Sequence, residues 1–243
     1  MKDGITHKSY VNMIFEKGFS GYSMWLVLVI GLIPLNGMGQ NPTWDSTQRP
    51  DIYRPRIELF RSFKHSKKDI VMLGNSITFW GDWPELLQSS RIKNRGIPGD
   101  NTFGVLERLD EVTNGSPAKV FILIGINDIA AGIPDNIISA NLKRIVQRIR
   151  SESPRTRIYI QTLLPTNSSF SRKMNHFNKE EQIANINKSV KKIAEEENVF
   201  LIDLYPLFSD NKGQLIRELS WDGVHLTGNG YKKWAEVLKQ YIF

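Results

Sequence analysis

Five short apolar runs, separated by segments of helical periodicity, constrain the fold of this 243-residue chain more than any other feature. The runs are DIVML (69–73), RIKN (91–94), KVFILI (119–124), RIYIQTLL (157–164) and VFLIDL (199–204). Short segments rich in Ile, Val and Leu are typical of parallel strands that are buried on both faces. Their alternation with helices predicts a parallel sheet with right-handed crossover connections.

Apolar residues recur at helical spacing between these runs. The clearest helix covers residues 135–150, where Ile138, Leu142 and Ile145 share one face. Further helices are predicted in DIYRPRIELFRSFKHSKK, over residues 179–197, and in the C-terminal YKKWAEVLKQYI. The sequence therefore predicts one α/β domain over residues 40–243, three-layered and doubly wound, with a five-stranded parallel sheet of the flavodoxin-like type.

The N-terminal segment has a different character. Its apolar run MWLVLVIGLIPL (24–35) is about half of the roughly 20 residues that a membrane-spanning helix needs. Three lysines precede this run and the small residues NGMGQ follow it, which is typical of a secretory signal peptide. We expect a signal peptide over residues 1–39, cleavage before Gln40, and a secreted or periplasmic protein without stable membrane insertion. An uncleaved anchor is the alternative, and Met13 or Met24 could be the true start.

Composition excludes several classes of function. The chain has no cysteine, which excludes disulfides, thiolate metal sites and a lipidated cysteine. Its formal charge of +7 comes from scattered basic residues, with KHSKK the one cluster. That distribution indicates a solvated surface, and we expect no nucleic-acid partner. The sequence leaves the oligomeric state open.

Polar, glycine-rich segments follow the predicted strands. They are GNS at 74–76, RGIPGDNT at 95–102, GIND at 125–128 and, in the last loop, SWDGVHLTGNG. Because the carboxyl ends of parallel strands form the ligand site of a doubly wound fold, we expect these segments to converge at one edge of the sheet.

These segments contain the residue types that acyl transfer requires. The reaction needs a hydroxyl nucleophile, a base, a carboxylate that orients the base, and donors for the oxyanion. Ser76, His225 and Asp222 can supply the first three, since a tight turn could join residues 222 and 225. The backbone N–H groups of Ser76 and Gly99 and the side-chain amide of Asn127 are the candidate oxyanion donors. Each residue alone has an ordinary turn or cap interpretation, so the prediction depends on their combination.

His225 is also the predicted base by elimination. The chain has four histidines. His7 lies in the predicted signal peptide, His65 lies among lysines, and His176 lies in the polar stretch RKMNHFNKEE, where we expect an exposed side chain. One usable histidine and no cysteine are too few ligands for zinc, so we expect no metal and no cofactor.

Aromatic and amide side chains near these segments are candidate substrate contacts. Trp80, Trp83 and Trp221 could stack on a sugar ring or enclose a small acyl pocket, although large aromatic residues more often belong to the core. Asn167, with Pro165, follows the fourth strand and could contact the leaving group, although an ordinary turn is the favoured interpretation.

In chain order, GNSIT, RGIPGDNT, GIND and DGVH resemble the four sequence blocks of the SGNH, or GDSL-like, hydrolases. The similarity extends from about residue 52 to the C-terminus. It implies the SGNH-hydrolase fold, with Ser76 as nucleophile, Gly99 and Asn127 in the oxyanion hole, and Asp222 and His225 as the acid–base pair. These are the residues that the chemistry alone selects.

The first block departs from the family's short name at two positions. Asn75 stands where many members have aspartate, and Ile77 stands where the name has leucine; neither change removes a reacting group. Thr78 occupies the position where the Gly-x-Ser-x-Gly elbow of α/β-hydrolases requires glycine, which argues against that fold.

The segments NRGIPGDNTFGVLERL and LLPTN are most similar to the platelet-activating-factor acetylhydrolase-like branch and to secreted bacterial carbohydrate acetylesterases. The resemblance implies a serine esterase that removes short acyl groups, with acetyl esters on carbohydrates as the expected small-molecule or glycan substrate. The alternatives are a lysophospholipase or thioesterase with the same site, and a non-catalytic glycan-binding protein.

Overall fold

A five-stranded parallel sheet forms the central layer of the molecule. The computed structural model of the protein describes residues 44–242. Its strands are β1 (Ile70–Gly74), β2 (Ile92–Gly96), β3 (Lys119–Leu123), β4 (Arg157–Gln161) and β5 (Phe200–Ile202), in the order β2-β1-β3-β4-β5. All neighbouring strands are parallel. The predicted fold class is confirmed, whereas the predicted signal peptide lies outside the described residues.

Helices cover the sheet. In the described part of the chain they are α1 (Tyr53–Ser62), α2 (Ser76–Phe79), α3 (Trp83–Leu86), α4 (Thr102–Glu107), α5 (Asp110–Thr113), α6 (Ile126–Ala130), α7 (Asp135–Glu152), α8 (Glu180–Glu196), α9 (Tyr205–Phe208) and α10 (Gly228–Ile242). A 3₁₀ turn covers Arg217–Leu219. Helices α7 and α8 pack against each other, and α10 packs against α3. None of the helices within residues 44–242 is both long enough and apolar enough to cross a bilayer.

The apolar runs of β1 and β3 reflect their central positions. Strand β1 lies between β2 and β3 and is buried along its whole length. Strand β3 is buried from its second residue onward. Because helices cover both faces of these strands, no position is free for a polar residue, and the sequence reads as an unbroken apolar run.

Strand β4 ends earlier than the apolar pattern predicts. The run extends to residue 164, but the strand ends at Gln161, and Leu163 and Leu164 are buried on a loop. Asn187 of α8 explains the difference, because its side chain pairs with the backbone N–H and C=O of Leu163 at 2.7 and 3.0 Å. A side-chain amide thus replaces the strand neighbour, and the chain turns away from the sheet here.

Candidate active site

The first loop presents Ser76 at the carboxyl end of β1. Helix α2 begins at Ser76, and the Asn75 side chain accepts the N–H of Ile77 at 3.0 Å. Asn94 of β2 donates to three carbonyl groups near the end of α2, which ties this short helix to the sheet. Ser76 is 9% exposed, so its hydroxyl is held in a buried turn.

Ser76, His225 and Asp222 form one hydrogen-bonded sequence. The Nε2 atom of His225 lies 2.9 Å from Oγ of Ser76, and Nδ1 lies 2.7 Å from Oδ2 of Asp222. The other carboxylate oxygen of Asp222 accepts the backbone N–H groups of Val224 and His225 at 2.9 and 2.7 Å. The structure therefore brings together the three side chains in the order that the sequence analysis expects.

Asp222 is held in its ionised form. Burial acts to raise its pKa, but the hydrogen bonds from the His225 ring and from two backbone N–H groups outweigh burial and leave the pKa below the ordinary value for aspartate. The buried carboxylate therefore remains available to accept a hydrogen bond from the Nδ1–H group of His225.

The tight turn between Asp222 and His225 depends on Gly223. This residue has φ +91°, and a Cβ atom there would overlap the carbonyl oxygen of Asn167. The Asn167 N–H donates to the Gly223 carbonyl at 2.8 Å, and its side chain donates to Leu215 at 2.8 Å. Asn167 is buried and joins two loops. The possible substrate contact of Asn167 is therefore wrong, and the favoured interpretation as a turn residue fits, because its side-chain amide is already engaged within the fold.

The candidate oxyanion donors lie at three loops. Gly99 has φ +79°, a conformation that side chains rarely adopt. Within residues 44–242 the backbone N–H groups of Ser76 and Gly99 are not used by the hydrogen bonds of the fold. The Asn127 side chain donates through Nδ2 to the Asp100 carbonyl at 2.8 Å and keeps one further Nδ2 hydrogen.

A buried arginine joins the loops that carry the serine and the glycine. Arg108 Nη2 donates to the carbonyl oxygens of Gly74 and Arg95 at 3.2 and 2.9 Å. Its Nε pairs with Asp100 at 2.9 Å and its Nη1 with Glu111 at 2.8 Å. The side chains of all three ion-pair members are 0% exposed. The sequence gives no sign of this network, because nothing distinguishes Arg108, directly after the end of α4, from a solvated arginine.

His176 lies in the site rather than at the surface, so the prediction of an exposed side chain is wrong. Its ring is half-buried, with Nε2 2.9 Å from Oδ1 of Asn127. Met174 and Phe177, on either side of it, pack against the hydrophobic core and draw the segment inward. Those two apolar residues, in an otherwise polar stretch, are the signal that could have identified it.

The three tryptophans have different environments. Trp83 is 0% exposed, donates its indole N–H to the Thr78 carbonyl at 2.8 Å and packs against Trp234. It is a core residue, which corrects the expectation of a substrate contact. Trp80 and Trp221 are 59% and 49% exposed. The Trp221 ring stacks on the His225 ring at 5.4 Å between centroids.

Two open cavities adjoin these residues. One, of about 570 Å³, is lined by residues 48–50, by Gly99 and Asn127, and by His176. The other, of about 470 Å³, is lined by Trp80, Trp221 and Tyr231. The part of the chain that the structure describes contains no cluster of three or more His, Cys, Asp or Glu side chains that could hold a metal ion.

Several known proteins resemble this chain in sequence or in structure. Residues 72–233 match the sequence model of the GDSL-like lipase/acylhydrolase family. The chain is 28% identical over 185 residues to platelet-activating factor acetylhydrolase IB subunit alpha2 of Homo sapiens, covering 74% of this chain and 78% of that protein. A solved structure from Streptococcus pneumonia, named for platelet activating factor, has a TM-score of 0.72 and 31% identity, covering 79% of this chain and 91% of that one. An acetylxylan esterase from Geobacillus stearothermophilus has a TM-score of 0.59 and 22% identity, covering 73% and 95%, a likeness of fold.

Proposed function

Because the chain belongs to the GDSL-like lipase/acylhydrolase family and is therefore a hydrolase of esters, we propose that it is a serine esterase whose nucleophile is Ser76. His225 is the base and Asp222 orients it. The observation that carries the proposal is the pair of contacts at 2.9 Å (Oγ to Nε2) and 2.7 Å (Nδ1 to Oδ2). This hydrogen-bonded arrangement lets Nε2 of the imidazole accept the serine proton while Nδ1 keeps the proton that it already carries.

The reaction proceeds in two halves. Ser76 Oγ attacks the ester carbonyl carbon as its proton passes to His225 Nε2. The resulting oxyanion accepts hydrogen bonds from N–H groups of Ser76, Gly99 and Asn127. The tetrahedral intermediate collapses, His225 protonates the departing alkoxide, and the acyl group stays on Oγ. Water then gives a proton to His225 and attacks the acyl carbon. The carboxylic acid leaves, and the serine recovers its proton.

We propose that the acyl group of the substrate ester is short, and above all an acetyl group. A small recess is lined by Asn75 and Val224, the sequence neighbours of Ser76 and His225, and by Leu163, and has a volume of only about 10 Å³. It has no room for a long alkyl chain. The names of two matched proteins point the same way, since one is an acetylhydrolase and the other an acetylxylan esterase.

For the alcohol half we propose a carbohydrate. Trp80 and Trp221 present exposed aromatic surface at one open groove, and aromatic faces stack on the apolar faces of sugars. The cavity on the other side is lined mainly by polar side chains, which suit hydroxyl groups. Two open cavities also leave room for a polymer rather than only a small isolated ester.

Secretion is part of the same proposal. The run of residues 24–35 with its flanking lysines and small residues supports export and cleavage before Gln40. An extracellular or periplasmic protein would meet acetylated polysaccharide directly. The intact mass of the exported protein tests this, and a mass that includes residues 1–39 would contradict it.

Hydrolysis of p-nitrophenyl esters by the purified protein tests the activity. Ser76→Ala should lower kcat by about 10⁴-fold or more, because no hydroxyl remains to form the acyl-enzyme. Ser62→Ala, which removes an exposed hydroxyl on α1, is the matched control and should match the wild type. Full turnover in Ser76→Ala would contradict the proposed nucleophile.

A series of acyl chain lengths tests the substrate class. Rates on acetate, butyrate and octanoate esters should fall steeply with length, and acetylated xylan should release acetate. Equal or higher rates on octanoate would instead favour the lysophospholipase or thioesterase alternative with the same site.

A further inference from the structure

The side chain of His176 is held at the oxyanion side of the site by its own segment. The Thr166 hydroxyl donates to the His176 carbonyl at 3.2 Å, and the Phe177 N–H donates to Met174 at 3.1 Å. Phe177 packs so closely on the Asp222–His225 turn that a Cβ at Gly223 would lie 3.0 Å from its ring. The imidazole is thus placed by contacts on both sides of it.

The hydrogen bonds of Asn127 determine which ring nitrogen of His176 carries the proton. The Asp100 carbonyl can only accept, so the Asn127 atom 2.8 Å from it is the amino group Nδ2. The amide oxygen Oδ1 must then be the atom that faces His176 Nε2 at 2.9 Å. Since Oδ1 can only accept, Nε2 is the protonated nitrogen of the ring.

The second ring nitrogen of His176 has no competing role in the fold. Its Nδ1 atom is buried and has no hydrogen-bond partner among residues 44–242. Burial, and then the nearby His225, lower the pKa of His176, with Asp222 acting partly against them. A neutral ring has a single proton, and the contact with Asn127 requires that proton at Nε2.

From this geometry we propose that His176 is a positioning residue for the oxyanion hole. Its Nε2–H holds the Asn127 carboxamide by the oxygen while the Asp100 carbonyl holds it by the nitrogen, so that the remaining Nδ2 hydrogen faces the reacting ester. The inference rests on the proposed function, because it assigns a role to Asn127 in ester cleavage.

A neutral donor suits this place better than a charged one. During the reaction His225 carries a positive charge, and His176 lies near enough to interact with it electrostatically. A lysine or arginine that held Asn127 would oppose that charge, whereas a neutral imidazole supplies a hydrogen bond without doing so. Without His176, the carboxamide can rotate about its last torsion, and the donor is in place for only part of the time.

Two substitutions of His176 separate the hydrogen bond from the volume of the ring. His176→Phe keeps a ring but removes the donor, and should lower kcat on p-nitrophenyl acetate by about 10-fold or more with KM changed less than about threefold, a part of the loss expected for a missing oxyanion donor. His176→Gln keeps an N–H donor at the same reach and should recover most of the rate. His65→Phe, at an exposed histidine, is the control and should match the wild type.

The decisive measurement is the double-mutant cycle with Asn127→Ala. If His176 acts through Asn127, His176→Phe should change kcat by less than about twofold once the carboxamide is gone. An equal loss in both backgrounds, or wild-type kcat in His176→Phe, would overturn the inference. Melting temperatures of all variants identify any loss that comes from unfolding. Failure here leaves an enzyme that still depends on Ser76, whereas failure of the proposed function would leave Ser76→Ala active.

Discussion

Asp222 uses its two carboxylate oxygens for two different tasks. One oxygen holds the backbone of its own turn and the other holds the His225 ring. An aspartate that served only as a turn residue would not need the second contact. The side chain therefore links the shape of the loop to the tautomer of the base.

Asp222→Asn should separate these two tasks. The amide can still accept from the turn, but it no longer favours the imidazole with its proton on Nδ1, so kcat should fall by about 10³-fold or more with the fold intact. Asp210→Asn is the matched control, because Asp210 also accepts two backbone N–H groups, in a loop that lacks a histidine partner. Steady-state kinetics on an acetate ester measure kcat for both variants. A kcat of Asp222→Asn within tenfold of the wild type would contradict the role of Asp222 in orienting the His225 ring.

At this scale the sequence predicts positions better than orientations. Ser76, Asp222 and His225 could be placed together because each lies at a strand end or in the last loop. The environments of Trp83 and His176 could not be predicted, since they depend on distant partners. Trp83 is enclosed by Tyr231 and Trp234, and the position of His176 follows from the way its loop packs.

At the scale of elements, the buried ion pairs of Arg108 connect strands β1 and β2 to the neighbouring loops. Arg108 extends from α4's end to the carbonyl groups that close β1 and β2, and its partners Asp100 and Glu111 are as buried as it is. The loops that carry Ser76 and Gly99 are therefore both held by Arg108 and its partners.

Removal of Arg108 should destabilise the protein strongly. Arg108→Met leaves two buried carboxylates without their main partner, and we expect a loss of about 3–5 kcal/mol in the free energy of unfolding. Arg61→Met is the matched control, because the Arg61–Asp110 pair is exposed at 52% and 40% and should contribute about 1 kcal/mol or less. Urea denaturation measures both, and equal effects of the two substitutions would contradict this account.

The long elements follow from periodicity, and the short ones do not. Helices α7, α8 and α10 were predictable because apolar residues recur along them. The four-residue helices α2 and α3 are single turns imposed by the chain's path, for which no periodic signal exists. The ends of β4 could not be read from apolar residues either, since Asn187 of another element decides where the strand stops.

At the scale of the whole molecule, stability should depend on the pH through Asp128. Burial raises its pKa to about 7, although the N–H and hydroxyl of Thr102 act in the opposite direction. In the unfolded chain the pKa of an aspartate lies near its ordinary value of 3.8. Between these pH values unfolding releases a proton, so this group makes the free energy of unfolding fall as the pH rises, by up to about 1.4 kcal/mol per pH unit.

Asp128→Asn should remove that contribution. Urea denaturation between pH 4 and 7 should show a flatter dependence than the wild type, while Asp51→Asn, at an exposed position, should keep the wild-type slope. Identical slopes in Asp128→Asn and the wild type would contradict the raised pKa. The slope of the free energy of unfolding against pH does not change if the substitution destabilises the protein by the same amount at every pH.

The architecture could be predicted because parallel strands and alternating helices allow few arrangements. The sheet order and the similar solved structures confirm the architecture. The convergence of the loops follows from it, and is seen in the 2.9 Å contact between Ser76 and His225. The order in which loops contact one another depends on packing between residues far apart in the chain, and a single sequence holds no direct record of those contacts.

The long separation between Ser76 and His225 links catalysis to the completion of folding. The two residues are 149 positions apart, and the Tyr231 hydroxyl of α10 donates at 2.8 Å to the carbonyl of Ile77, beside the serine. Until the C-terminal segment docks, residue 76 is an ordinary alcohol without a proton acceptor. Under the proposed function, a partly synthesised or partly folded chain would therefore be inert toward esters, and hydrolytic capacity would arise only in the fully folded protein, a form of temporal control that requires no inhibitor.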